Sequence, residues 1–332
     1  MDDASRTGRV PATRPVLGAS CMLGAGVSFA IVNTMIPILT YRLGVPSAAV
    51  VFWQYLIATF FALPLIWRIG LGALKTRHPL LHQLRAFVVA AGVQAFAFGF
   101  ASAVPQWQMV ALSMTAPFFV IVGSIIFLKE KPTWQRMTAS VLGFAGALIC
   151  QQTAPGTFSW MALLPISAAA LWAAATVLTK YLAREERAES LTLYMLVLVT
   201  PNHLLITLSL GLAVVVLPPG TLPHNLATGL DLGLHGANVW ALLAVLGLIT
   251  AISQYFLSLA YRAADAIFLQ PFDDLKLPIN TLSGWILLSQ IPTAWFWPGA
   301  TLILGASLFL LQQEKAAPPK VKGAAMSVSA AR

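Results

Sequence analysis

Charge is what this chain has least of. Lys, Arg, Asp and Glu make up 9% of its 332 residues, against about 25% in an ordinary soluble protein. So few charged side chains cannot cover a water-facing surface. With 58% hydrophobic residues and a mean hydropathy of +0.79, most of the exterior must face lipid. Cysteine is nearly absent as well: Cys21 and Cys150 both fall in apolar stretches, which excludes a disulfide framework and leaves them as small packing residues. Also missing are GxSxG, HExxH, a P-loop and any metal-ligand cluster, so the familiar catalytic motifs are absent and neither a cofactor nor a metal centre is expected. The net charge of +9 invites a nucleic-acid partner, but the basic residues sit at the ends of apolar stretches and point to a lipid bilayer instead.

A hydrocarbon core about 30 Å thick needs roughly 20 apolar residues. Ten stretches meet that need: 16–41, 48–67, 85–104, 108–128, 135–152, 159–180, 190–217, 238–261, 265–289 and 294–313. The joins are short and rich in Pro, Gly or charge (VPQWQ, KEKPTW, TAPGTFSW), leaving no room for a soluble domain. Eighteen of the twenty Lys and Arg fall on one side of this ten-span arrangement; Arg42 stands opposite, and Lys276 lies inside a stretch. Both tails, 1–15 and 314–332, are then cytoplasmic, in a multi-pass protein of a bacterial inner membrane. The first stretch is too long for a signal peptide and is followed by no small-x-small cleavage site.

The chain also repeats itself. TAPFFVIVGSIIFLKEKPTWQRMTASVLGFAGALI aligns at an offset of 160 with LKLPINTLSGWILLSQIPTAWFWPGATLILGASLF. Glu130 falls on Gln290, Pro132 on Pro292, Thr133 on Thr293, and the small pair Ala139 and Gly146 on Gly299 and Ala306. Small residues seven apart share a helix face and suit close packing in lipid. Upstream, Asn33 can be laid on Thr176, and Gln94 falls near Gln254. Two halves of five spans, 16–152 and 159–313, must enter the membrane in opposite senses, and such inverted repeats typify secondary transporters with a midplane site.

The run from Pro117 to Glu130 followed by KPTWQRMTASVLGFAGALI, its second-half counterpart and PSAAVVFWQYLIATFFALPL resemble the two EamA domains of the drug/metabolite transporter (DMT) superfamily. The resemblance covers about 16–315. It implies an all-α integral membrane protein of ten transmembrane helices in two inverted five-helix repeats, carrying a small organic metabolite by alternating access. An amino acid or related amine, moved by export, is the first expectation; uptake of a nucleoside-type or cationic metabolite such as S-adenosylmethionine is the alternative. A lipid flippase or membrane-embedded enzyme is the alternative of another class. A proton or counter-solute remains open as a partner, as does monomer against homodimer. The chain departs from the pattern where Gln54 replaces a frequent Arg, Asp274 a frequent Tyr and Gln290 the second Glu.

The candidate site begins in FLQPFDDLKLP, residues 268–278. A charge at the centre of a membrane helix costs about 2.5–3.5 kcal/mol, so Asp273, Asp274 and Lys276 must face inward. Asp273, Lys276 and Asn280 share one helix face, and Gln270 and Asp274 the adjoining one. A structural or gating ion pair, substrate contact and proton coupling are three open readings of these charges. Asn33, Gln54, Gln94, Gln254 and Tyr255 are polar side chains within spans that need partners inside the bundle. Trp53, Trp172, Phe118 and Tyr261 could stack on a planar or cationic substrate or simply pack. Trp107, Trp160, Trp295 and Trp297 read as interface anchors.

Overall fold

The computed structural model describes residues 15–64, 70, 76–129, 133–150, 161, 163–182, 186, 188–218, 236–264, 269 and 272–316. Eleven α-helices stand among them: α1 (Pro15–Pro37), α2 (Ser47–Ala62), α3 (Pro79–Ala101), α4 (Gln106–Ser113), α5 (Ala116–Leu128), α6 (Trp134–Cys150), α7 (Leu163–Leu182), α8 (Ala188–Val216), α9 (Ala237–Ala263), α10 (Lys276–Leu288) and α11 (Phe296–Ala316). Pro37 ends α1, and the chain continues through a π-helical turn, Ile38–Arg42. Pro79 opens α3, where its missing N–H would have had no partner anyway.

Among the described residues, five stretches are long and apolar enough to cross a membrane: Pro15–Arg42, Pro79–Ala101, Gln106–Phe127, Ser190–Ala213 and Ala237–Ala260. Shorter apolar helices cover Ser47–Ala62, Met137–Cys150, Leu163–Thr179 and Phe296–Phe309. Large apolar side chains such as Phe60, Phe127, Val215 and Ile286 stay exposed on the outside, as a lipid-facing surface requires. The main core gathers Leu39, Val50, Phe100, Met109, Leu246 and Leu277, all fully buried.

Two expected continuous helices are broken. The stretch expected over 108–128 stops at Ser113 and restarts at Ala116, because Pro117 cannot donate to the carbonyl of Ser113. The stretch expected over 265–289 is interrupted at Leu275, and α10 restarts at Lys276, with Pro278 unable to donate to the carbonyl of Asp274. The restarts lie 160 residues apart, at the sequence offset, and α5 and α10 both run 13 residues. Each ends in a left-handed residue, Lys129 (φ 54°) and Ser289 (φ 58°), again 160 apart.

The packing is matched in the same way. α1 lies on α9 and α10, as α7 lies on α3 and α5; α2 packs on α9 as α8 packs on α3; α6 packs on α11. Trp107 is not the interface anchor expected: it is buried edge-on to Phe296, with ring centroids 5.6 Å apart. Trp295 and Trp297 are exposed. Arg85, at the start of the expected stretch 85–104, is buried inside α3, where its guanidinium donates to the carbonyl of Leu191 at 2.5 Å.

Candidate functional site

A polar seam joins α1, α4 and α10. The Asn33 amide donates to Asn280 Oδ1 at 2.9 Å, and Gln106 Nε2 donates to the same oxygen and to Ser283 Oγ, both at 3.0 Å. Asn280 Nδ2 donates back to the carbonyl of Lys276 at 2.7 Å, which fixes which end of the amide faces Asn33. Thr34 Oγ1 lies 3.2 Å from Ser283 Oγ and from Gln106 Nε2. Gln290 Oε1 accepts the backbone N–H of Gln106 at 2.7 Å and so caps α4. Gln106 and Asn280 have no exposed surface, so this end of the bundle is shut by amides and hydroxyls that satisfy one another.

At the other end of the seam, Lys276 Nζ donates to Asp273 Oδ2 at 2.7 Å. The two side chains are 26% and 23% exposed, so the pair is partly open rather than sealed in dry packing. Gly26 of α1 lies opposite: a Cβ there would sit 3.9 Å from that of Lys276. Asp274 turns elsewhere. Its carboxylate is buried and accepts the hydroxyl of Ser307 on α11. Asp274 borders a small cleft with Met114 and Pro117 from the first break, Ser140 and Gly143 of α6, and Ser307. Both helix breaks thus reach one cleft.

The remaining expected residues are distributed around this seam. Gln54 Nε2 donates to Thr250 of α9 at 2.9 Å, and Gln94 Nε2 to Thr207 of α8 at 3.2 Å, so both amides tie helices together. Gln254 and Tyr255 are both half-buried on α9. Trp53 packs edge-on to Trp240 at 4.8 Å, Phe118 against Phe144 at 5.1 Å, and Trp172 against Phe96 at 5.1 Å. Trp172 lies against Gly92, where a Cβ would stand 2.7 Å from its indole nitrogen. Gln270 and the side chain of Tyr261 lie outside the described residues, as do Glu130 and Trp160. The structure joins Asn33 to Asn280 and Lys276 to Asp273, and adds Gln106, Thr34 and Ser283, which the sequence reading did not name. Gln106 sits in VPQWQ, which reads as a join, and its only signal is a polar residue directly after Pro105 at a helix start.

A second cluster pins the start of α3. Glu186 accepts from Thr76 Oγ1 at 2.5 Å and meets His82 Nε2 at 2.8 Å, while His82 stacks on Tyr194 at 4.3 Å.

Comparison with known proteins decides the family. The profile of the EamA-like transporter family matches residues 16–150. A protein of Rhizobium johnstonii named riboflavin transporter is 43% identical over 95% of this chain and 97% of its own length. A protein of the same name from Brucella anthropi is 45% identical over 88% and 98%. The chain belongs to the EamA family of the drug/metabolite transporter superfamily. It is a multi-pass membrane transporter. An S-adenosylmethionine uptake transporter of Rickettsia felis is 27% identical over 82% of this EamA chain and 85% of its own. One solved crystal structure, 13% identical, superposes with a TM-score of 0.58 over 88% of this chain and 98% of that one, and shares its fold.

Proposed function

We propose that this EamA protein carries a neutral flavin, riboflavin, by alternating access. The observation that carries the reading is the nearly full-length likeness, above 40% identity, to two proteins named riboflavin transporter. The site's chemistry supports it. A flavin offers a flat apolar ring system, an imide edge that both donates and accepts, and a chain of hydroxyls, and it has no net charge. Amides such as Asn33, Gln106 and Asn280 both donate and accept, and Thr34 and Ser283 match hydroxyls. Asp273 and Lys276 neutralise each other. A net cation would call for an unpaired counter-charge, and the names of the two relatives above 40% identity mention neither an amino acid nor export.

The same reading holds that ten spans form two inverted repeats, residues 16–152 and 159–313, with both tails cytoplasmic in a bacterial inner membrane. The paired helix breaks and the matched packings of α1 on α9 and α7 on α3 support it. Interrupted helices in corresponding positions are where carriers of this build hold substrate, and the seam at Asn280 then closes the extracytoplasmic side. Asp273, Lys276, Asn33 and Asn280 are the proposed contacts, with Phe118 and Trp172 as ring walls.

The test is counterflow: protein in vesicles preloaded with unlabelled riboflavin, with labelled riboflavin, S-adenosylmethionine or an amino acid mixture outside. Saturable exchange of riboflavin alone is expected. Exchange of S-adenosylmethionine or amino acids without riboflavin would overturn the reading.

A further inference from the structure

His203 lies at mid-length in α8, two residues after Pro201, and has no exposed surface. Neither ring nitrogen has a hydrogen-bond partner. Its ring sits 5.1 Å from that of Tyr55 on α2, itself buried. Gln254 of α9 is only half-buried. The imidazole therefore packs against the Tyr55 ring while both its nitrogens stay unbonded. An unsatisfied buried polar atom costs about 1–3 kcal/mol, so packing alone favours an apolar residue here. An ionisable group at mid-depth of a membrane helix marks a function by default.

We propose that His203 is the proton-binding group of a proton-coupled transport cycle. The inference rests on the flavin-carrier reading and adds a second substrate to it. When the wall formed by α2 and α8 opens towards one side, a ring nitrogen takes a proton directly from the water that reaches it. When it opens towards the other, the same N–H bond breaks and the proton returns to water, leaving the imidazole neutral. No other bond changes.

The surroundings make protonation a conformational signal. The elements packed on α8 are α2, α3 and α9. α2 contributes Tyr55; α3 contributes His82 and Arg85, engaged at Glu186 just before α8 and at Leu191 in its first turn; α9 contributes Tyr255, while the side chain of Arg262 lies outside the described residues. Helix α2 and the stretches Pro79–Ala101, Ser190–Ala213 and Ala237–Ala260 contain no Asp or Glu. An imidazolium in the closed wall would face no carboxylate, and an unpaired buried charge is costly. Protonation therefore favours whichever arrangement lets water reach the ring, and that differential stability links the proton to the movement. Pro201 removes one backbone bond of α8 beside it, so the helix has a place to yield.

The full chain, reconstituted in phosphatidylethanolamine and phosphatidylglycerol vesicles, tests this with riboflavin outside and a pH dye inside. A gradient of about one pH unit, alkaline inside, supplies a roughly tenfold ratio of proton activity. The wild type is expected to take up riboflavin several-fold faster with the gradient than without it, and riboflavin is expected to acidify the lumen. His203→Gln is expected to keep counterflow at equal pH and lose the response to the gradient; His203→Asn replaces it if that variant is not monodisperse. Wild-type counterflow that ignores the gradient and leaves lumenal pH unchanged overturns the proton site alone, and so does a full gradient response in either variant. Absence of any riboflavin counterflow overturns the flavin reading and the proton site with it.

Discussion

A Cβ built on Gly146 would lie 2.7 Å from the carbonyl oxygen of Gly299, and one built on Gly299 would lie 2.5 Å from that of Gly146. The backbones of α6 and α11 touch, and neither glycine can gain a methyl group without parting the helices. Cys150 fills the next position, its thiol 3.4 Å from the carbonyl of Phe296. Gly299→Val is expected to destabilise by about 1–3 kcal/mol, read as a lower melting temperature in detergent. Gly143, which would meet nothing within 4 Å, is the control: Gly143→Ala should leave the melt unchanged, and equal losses at both sites would refute the close approach.

Asn280 holds three partners, from α1, α4 and its own helix. Asn280→Ala leaves the Asn33 and Gln106 amides without their acceptor, at about 1–3 kcal/mol. Riboflavin counterflow should fall at least about tenfold, the equivalent of 1.4 kcal/mol. In a double-mutant cycle with Asn33→Ala, measured by unfolding in mixed micelles, the two should couple by about 0.6 kcal/mol, the usual size of such a bond between membrane helices. Additive losses would mean that the bond between them contributes nothing.

Lys276→Met leaves the Asp273 carboxylate unpaired within the bundle. Transport should collapse, and Lys276→Met combined with Asp273→Asn should recover part of it, since removing both charges avoids the cost of one left alone. If the single and double variants are equally inactive, Lys276 contacts substrate directly and is more than the partner of Asp273.

Gln290 caps α4 through its side-chain oxygen. Gln290→Glu keeps that acceptor and should behave as wild type, whereas Gln290→Leu should lose about 1 kcal/mol, the usual worth of a cap, again read from the melt. A harmless Leu at this position would mean that water satisfies the amide of Gln106 instead.

The sequence by itself determined the solvent and the helices, and it carries the internal offset that the two helix breaks repeat. Scarcity of charge requires lipid outside, apolar runs in lipid can only be helical, and the offset of 160 already pairs Pro132 with Pro292. It also placed Asp273, Lys276 and Asn280 on one face, because helical periodicity is a local property. Tertiary structure alone decided the partners. Asp273 and Asp274 are neighbours in sequence, yet one meets Lys276 and the other Ser307. Gln54 and Gln94 are spent on Thr250 and Thr207, while Gln106, hidden in a join, closes the seam. A hydrogen bond in lipid is made by whatever group the facing helix brings within about 3 Å, and which helix faces which is set by packing across the whole bundle.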